Sequence, residues 1–154
     1  MQYKGTLIAV SDMEESKKFY QDLLGMHVVG DFGANVQLEN GLFLQTKDTW
    51  ANIIANKEIK LDHNAGELYF ETQDINAFLK LLKIYQVEFV DEPKEHSWGQ
   101  RAVRFYDPDH HIIEVAEDLV MVMKRFADSG MSVEEVAVRM DVPVSYIKEH
   151  LGKI

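Results

Sequence analysis

The chain has 154 residues, 46% of them hydrophobic, no cysteine, and a formal net charge of −10 at neutral pH. That is enough apolar material for one compact domain, or one domain with a small appendage. The charge speaks against nucleic acid or an anionic membrane as the default partner, the lack of cysteine excludes disulfides and thiolate metal sites, and no apolar run is long enough to span a bilayer.

The N-terminal stretch MQYKGTLIAV lacks an apolar signal core followed by a small-residue cleavage site, so a cytoplasmic protein is expected. Tyr3 to Val10 reads as a first strand. Asp12 is a good helix N-cap, and Glu15 three positions on completes a capping-box pattern. The helix that follows carries Ser16, Phe19, Tyr20, Leu23 and Leu24 at helical spacing, and Gly25 ends it. Three short strands follow at His27–Gly30, Asn35–Glu39 and Leu42–Thr46, with Asn40-Gly41 as a hairpin turn signal between the last two. Asp48 to Asn64 has weak periodicity and reads as a connection, with a short helix around Trp50–Asn56.

Glu67 to Asp74 then repeats the layout of Gly5 to Asp12 at an offset of 62 residues. Asp74 caps a helix bearing Ile75, Phe78, Leu81 and Leu82. Val87–Asp91 is the next strand and Pro93–Ser97 a loop. Arg101 to Tyr106 alternates as a pleated strand, Asp107-Pro108-Asp109 supplies turn chemistry, and Ile112 to Val115 returns as a strand with one carboxylate, Glu114, among β-branched residues. Two copies of a strand-helix-strand-strand-strand unit are therefore visible.

From Glu117 onward three helices are expected: one over Leu119–Ala127, one opened by the capping box Ser132-x-x-Glu135, and one starting at Pro143 with Val144, Ile147 and Leu151 on one side. The pattern SVEEVAVRMDVPVSYIKEHL resembles a small helix-turn-helix. This tail holds five Lys/Arg against seven Asp/Glu, and its last helix offers only Lys148 and Lys153 beside Glu149. Phosphate contacts need a basic face, so nucleic acid is not the expected partner and an appendage that packs is the simpler reading.

The Phe19-Tyr20…Leu24-Gly25 element, the Trp98-Gly99-x-Arg101 strand, the Asp107-Pro108-Asp109 turn and the closing Ile113-Glu114-Val115 strand together resemble the vicinal oxygen chelate superfamily. That superfamily holds glyoxalase I, bleomycin and fosfomycin resistance proteins, extradiol dioxygenases and methylmalonyl-CoA epimerase. The resemblance covers about Tyr3 to Glu117 and leaves 118–154 as a helical tail. It implies an α+β fold: two βαβββ repeats, about 1–47 and 65–117, forming a curved mixed sheet around a cleft and usually completed in a homodimer.

The family's metal enzymes hold a divalent ion with side chains from the first and last strands of each repeat. Mapped by resemblance, those positions are Gly5, Gln45, Glu67 and Glu114. Three carry oxygen donors and one carries no side chain. Oxygen donors alone suit Mg²⁺ or Mn²⁺ better than Zn²⁺ or Fe²⁺, so magnesium, manganese or nickel is the expectation if a metal is held at all. Both histidine ligands are lost, which speaks against extradiol dioxygenase chemistry. His110 and His111 read as solvated turn residues, and His96, on a loop that could rim the cleft, reads more simply as a surface imidazole.

Glu67, Tyr69 and Glu71 share one side of their strand and Leu68 and Phe70 the other, so Glu67 and Tyr69 should face the cleft. Trp98 and Arg101 are expected to add an aromatic wall and a fixed cation, and Arg101 is an equally good counter-ion for Glu67 or Glu114. Facing carboxylates in a dry cleft would raise at least one pKa and make Glu114 a general base. Three readings stay open. One is a glyoxalase-like lyase or isomerase with Glu114 as ligand or base. The second is a metal-free protein that binds a small cationic or polar molecule. The third is a ligand-responsive regulator whose tail binds DNA.

Overall fold

The structure, a computed structural model, describes residues 1–152. Lys153, counted above on the expected last helix, lies outside the described residues. The chain forms two units: Met1–Gly66 with Tyr106–Ile112, and Glu67–Phe105 with the chain from Ile113 onward. Among the described residues no helix is long and apolar enough to cross a membrane.

The first unit runs β1 (Thr6–Val10), α1 (Met13–Leu24), β2 (Val28–Asp31), β3 (Asn35–Leu38), β4 (Leu42–Thr46) and α2 (Lys47–Ile53). Its sheet has the order β1-β4-β3-β2, with β1 and β4 parallel and the other pairs antiparallel. Asp12 caps α1 by accepting the Glu15 N–H at 2.9 Å. Ser16, Tyr20 and Leu23 are the buried face of that helix, and Val10, Val36 and Leu44 are buried core positions of the sheet. Gly25, at φ 67°, ends the helix as expected. The hairpin signal is also met: Asn40 and Gly41 both have positive φ between β3 and β4.

Strands β2 and β3 differ from the expected bounds by single residues, and two boundaries differ by more. The first strand starts at Thr6 rather than Tyr3, because Gly5 has φ 151° and breaks the extended run. The connecting helix begins at Lys47, directly after β4, and is over by Ile53 because Ala55 and Asn56 take positive φ.

The second unit repeats the pattern: β5 (Glu67–Thr72), α3 (Ile75–Tyr85), β6 (Phe89–Glu95), β7 (Arg101–Tyr106) and β8 (Ile112–Glu117), in the sheet order β5-β8-β7-β6. Asp74 caps α3 through the Ala77 N–H at 2.9 Å. Ile75 and Leu82 of α3 are buried, and Phe78 meets Phe105 of β7 with ring centroids 6.0 Å apart. The loop expected at Pro93–Ser97 starts later, because β6 continues through Pro93 to Glu95. Pro93 is tolerated there: β6 is an edge strand, and its register against β7 shifts twice between Phe89 and Lys94.

The tail forms α4 (Leu119–Asp128), α5 (Val133–Met140) and α6 (Val144–Leu151). The Ser132 capping box is reciprocal: Glu135 N–H donates to Ser132 Oγ at 3.2 Å, and Ser132 N–H donates to Glu135 Oε2 at 2.7 Å. Val122, Met123, Phe126, Val136, Ala137, Met140 and Ile147 make a separate apolar cluster among the three helices. Each helix is short, and this shared core is what holds them.

Candidate functional site

The candidate site lies on one face of the second sheet. Alternation along β5 leaves Glu67, Tyr69 and Glu71 exposed while Leu68, Phe70 and Thr72 turn inward. Glu67 and Tyr69 therefore share the exposed side of the strand. Beside them on β8 stands Glu114, only 5% exposed. A carboxylate this buried needs a counter-charge, and Arg104 of β7 provides it. Its Nε donates to Glu67 Oε2 at 2.8 Å, and its terminal nitrogen pairs with Glu114. Three neighbouring strands thus contribute one group: two carboxylates sharing one guanidinium.

A second group lies at the other end of the same face. The Tyr69 hydroxyl donates to Glu71 at 2.8 Å and accepts from Gln100 Nε2 at 3.2 Å. Gln100 Oε1 in turn accepts the Trp98 indole N–H at 3.0 Å, and its amide also donates to the Glu117 carbonyl at 2.8 Å. His96 stacks on Trp98 with the rings 4.3 Å apart and 3° from parallel. Burial, then the nearby Arg104 and Lys94 cations, hold the His96 imidazole below its ordinary value, so it is the neutral ring that stacks. Burial and then the bond to Glu71 push the Tyr69 hydroxyl above 10, so it stays a donor. Tyr69 and Trp98 remain 50% and 38% exposed, a half-open aromatic surface with satisfied polar edges.

Arg101 requires a correction. It was expected near Glu67 and Tyr69, but it pairs with Glu117 at 2.8 Å and donates to Asn76 of α3 at 3.0 Å. Arg101 and Glu117 line a groove of about 510 Å³ with residues of α3 and α4, on the helix-covered side of the sheet. The reason is the pleat: Arg101 shares a face with Val103 and Phe105, whereas Arg104 lies on the other. The counter-ion foreseen for Glu67 or Glu114 is Arg104. Facing carboxylates without a cation between them are not what β5 and β8 present.

The other two positions mapped by resemblance, Gln45 and Gly5, lie in the first unit. Gln45 is buried, with its Oε1 accepting from Asn35 at 2.8 Å and its Nε2 donating to Thr49 at 2.5 Å, so both ends of the amide are committed. Gly5 has no side chain and no room for one: a Cβ there would stand 1.9 Å from the Gly41 carbonyl oxygen. Among the described residues no group of three or more His, Asp or Glu is placed to hold a metal ion. With Arg104 on both carboxylates, Gln45 engaged and Gly5 blocked, these residues do not fit the divalent ion that the resemblance implied.

The Asp107–His111 turn is structural. Asp109 accepts the Ser11 N–H at 2.9 Å, and the Tyr20 hydroxyl donates to Asp107 at 2.7 Å. Asp107 also accepts the backbone N–H groups of Asp109 and His111. His111 is buried, with Nε2 2.8 Å from the Ala9 carbonyl oxygen, and so is not the solvated residue expected; His110 stacks on Tyr106.

Residues 3–120 match the glyoxalase-like domain family. The chain belongs to that family, and so to the vicinal oxygen chelate superfamily. It is 27% identical over 120 residues to the uncharacterized protein YraH of Bacillus subtilis strain 168, covering 70% of this chain and 91% of that one. A crystal structure of a protein of unknown function from Agrobacterium tumefaciens C58 is 33% identical, with a TM-score of 0.69 over 77% of this chain and 94% of that one. Lactoylglutathione lyase from Agrobacterium tumefaciens shares the fold at 20% identity and a TM-score of 0.59, covering 77% and 95%.

Proposed function

We propose that this chain is a metal-independent small-molecule binding protein built on the glyoxalase fold, with its ligand on the β5–β8–β7 face. The observation that carries the reading is Arg104, which occupies both Glu67 and Glu114 with its own positive charge. Trp98 and Tyr69 supply a surface on which a flat ring can stack. Three acidic groups, Glu67, Glu71 and Glu114, against one arginine favour a cationic or polar ligand. A homodimer and a cytoplasmic setting belong to this reading, and sedimentation velocity tests the first.

A lyase or isomerase reading keeps Glu114 as the base. It requires a substrate that draws Arg104 away, as a carboxylate-bearing substrate would, and frees the Glu114 oxygens for proton abstraction.

Calorimetric titration with MnCl₂ and with p-aminobenzamidine, a flat aromatic cation, tests the proposal. The expected result is no stoichiometric Mn²⁺ binding, together with probe binding that weakens in Trp98→Ala and Glu67→Gln. Stoichiometric Mn²⁺ binding lost in Glu67→Gln and Glu114→Gln would overturn it.

A further inference from the structure

We propose that the helical tail supports the ligand face from behind: Phe126 and Arg125 of α4 are positioning residues that fix the turn between β6 and β7, and with it the stacked His96–Trp98 pair. The inference rests on the site reading above. It concerns residues beyond the family match, which ends at residue 120.

The turn is closed by its own backbone, with His96 N–H donating to the Gln100 carbonyl at 2.8 Å and Gly99 N–H to the His96 carbonyl at 2.9 Å. Its centre is moulded to the tail. Gly99 has φ +90°, and a Cβ there would stand 2.2 Å from the Phe126 ring, so the ring lies directly on the glycine backbone. Arg125 donates to the Gly99 carbonyl at 2.5 Å and to Glu117 at 3.1 Å. Glu95, at the end of β6, is 3.2 Å from Arg139 and 3.8 Å from Arg125. Both guanidinium groups also lie against the Phe126 ring, 4.9 and 5.4 Å from its centre. The turn is thus held at its first strand, at its central carbonyl and at its glycine Cα.

What the turn carries is the aromatic wall. Trp98 precedes Gly99 and Gln100 follows it, and these two side chains link the turn to Tyr69. Displacement of Gly99 therefore moves the stacking surface and its hydrogen-bonded support together. Phe126 is also a member of the tail's own apolar cluster, so the packing of α5 and α6 reaches the turn through one ring. This gives the tail a role that needs no basic surface, in keeping with its acidic balance.

The test uses the full chain with Trp50→Phe, which leaves Trp98 as the only tryptophan. A protonated imidazole quenches a stacked indole more strongly than a neutral one, so Trp98 fluorescence against pH reads His96. Burial, Arg104 and Lys94 set that midpoint below 6.5 while the stack is held. In Phe126→Leu and Arg125→Gln the quenching step should shrink, its midpoint should rise toward 6.5, and p-aminobenzamidine affinity should fall by about tenfold. Circular dichroism confirms that each variant is folded. An unchanged midpoint and amplitude in both folded variants would overturn the proposal. If the midpoint moves while p-aminobenzamidine binds neither the parent nor the variants, the ligand reading fails and the positioning role stands.

Discussion

Arg104 Nε lies 2.8 Å from Glu67 Oε2 while the same guanidinium pairs with Glu114, so one cation serves carboxylates on two other strands. Removing it as Arg104→Met leaves both acids facing each other without a counter-charge. Glu114 is nearly buried, but Arg104 and Glu67 are 29% and 35% exposed, and solvent screens part of the penalty. The expected loss is about 1–3 kcal/mol, below that of a fully buried pair. Mn²⁺ should then raise the melting temperature of the variant and leave that of the parent unchanged. Urea unfolding at neutral pH and thermal scans with MnCl₂ check both points. Equal stability of variant and parent would show that Arg104 is not the counter-ion.

Gly5 is the position that the family resemblance maps to a metal ligand, and placing a histidine there is the obvious way to test that mapping. It should fail. A Cβ at residue 5 meets the Gly41 carbonyl oxygen at 1.9 Å and the Phe43 ring at 2.6 Å, with φ at +151°. Gly5→His and Gly5→Ala should therefore each cost about 2–4 kcal/mol by steric and backbone strain, with no gain in metal affinity. Urea unfolding gives the cost, and calorimetry with Ni²⁺ the affinity. A stable Gly5→His variant that binds Ni²⁺ would contradict the blocked position.

Arg101 and Glu117 make a separate prediction on pH. Burial pushes the Glu117 carboxyl up, but hydrogen bonds from Arg101 and then Arg125 outweigh it and leave Glu117 below its ordinary value of 4.5. A lowered folded value means that stability is present above 4.5 and is lost as pH falls through the folded value. The stability difference between parent and Glu117→Gln should thus be largest at neutral pH and shrink as pH falls below 4.5 through the lowered folded value. Arg101→Met should lower stability in the same window and leave p-aminobenzamidine binding intact, because Arg101 faces α3 and not Tyr69. Probe binding lost in a folded Arg101→Met would return Arg101 to the ligand face.

The repeat was legible in the sequence because its signals are local. Asp12 and Asp74 announce their helices through a capping geometry spanning three residues, and both make the predicted bond. The Glu67–Tyr69–Glu71 face was legible for the same reason, since strand alternation depends on nothing distant. Arg104 was also within reach. The pattern Arg101, Val103, Phe105 puts Arg101 on the apolar side of β7, and that alternation alone distinguishes it from Arg104. The obstruction at Gly5 was not legible, because it depends on how closely β1 passes the Gly41 turn. Nor was the grip of Phe126 on Gly99, a contact between residues 27 positions apart that no periodicity encodes.

Tyr20, fully buried on α1, donates to Asp107 at 2.7 Å and gives the last prediction. Burial is the main cause that pushes the Asp107 carboxyl above its ordinary 3.8; the neighbouring His111 imidazole, then the Tyr20 hydroxyl and two backbone N–H groups, pull against it. A raised folded value means that the group favours folding most below 3.8 and loses that contribution as pH rises through the folded value. The Tyr20 bond limits this loss by stabilising the ionised form. Tyr20→Phe removes that donor, leaves the ring packing in place, and should cost about 1–3 kcal/mol at neutral pH. The cost should shrink on acidification, when Asp107 takes up a proton and no longer needs the donor. Urea unfolding of parent and variant across the acid range measures it. A loss that stays constant with pH would mean that the hydroxyl acts through packing rather than through the Asp107 charge.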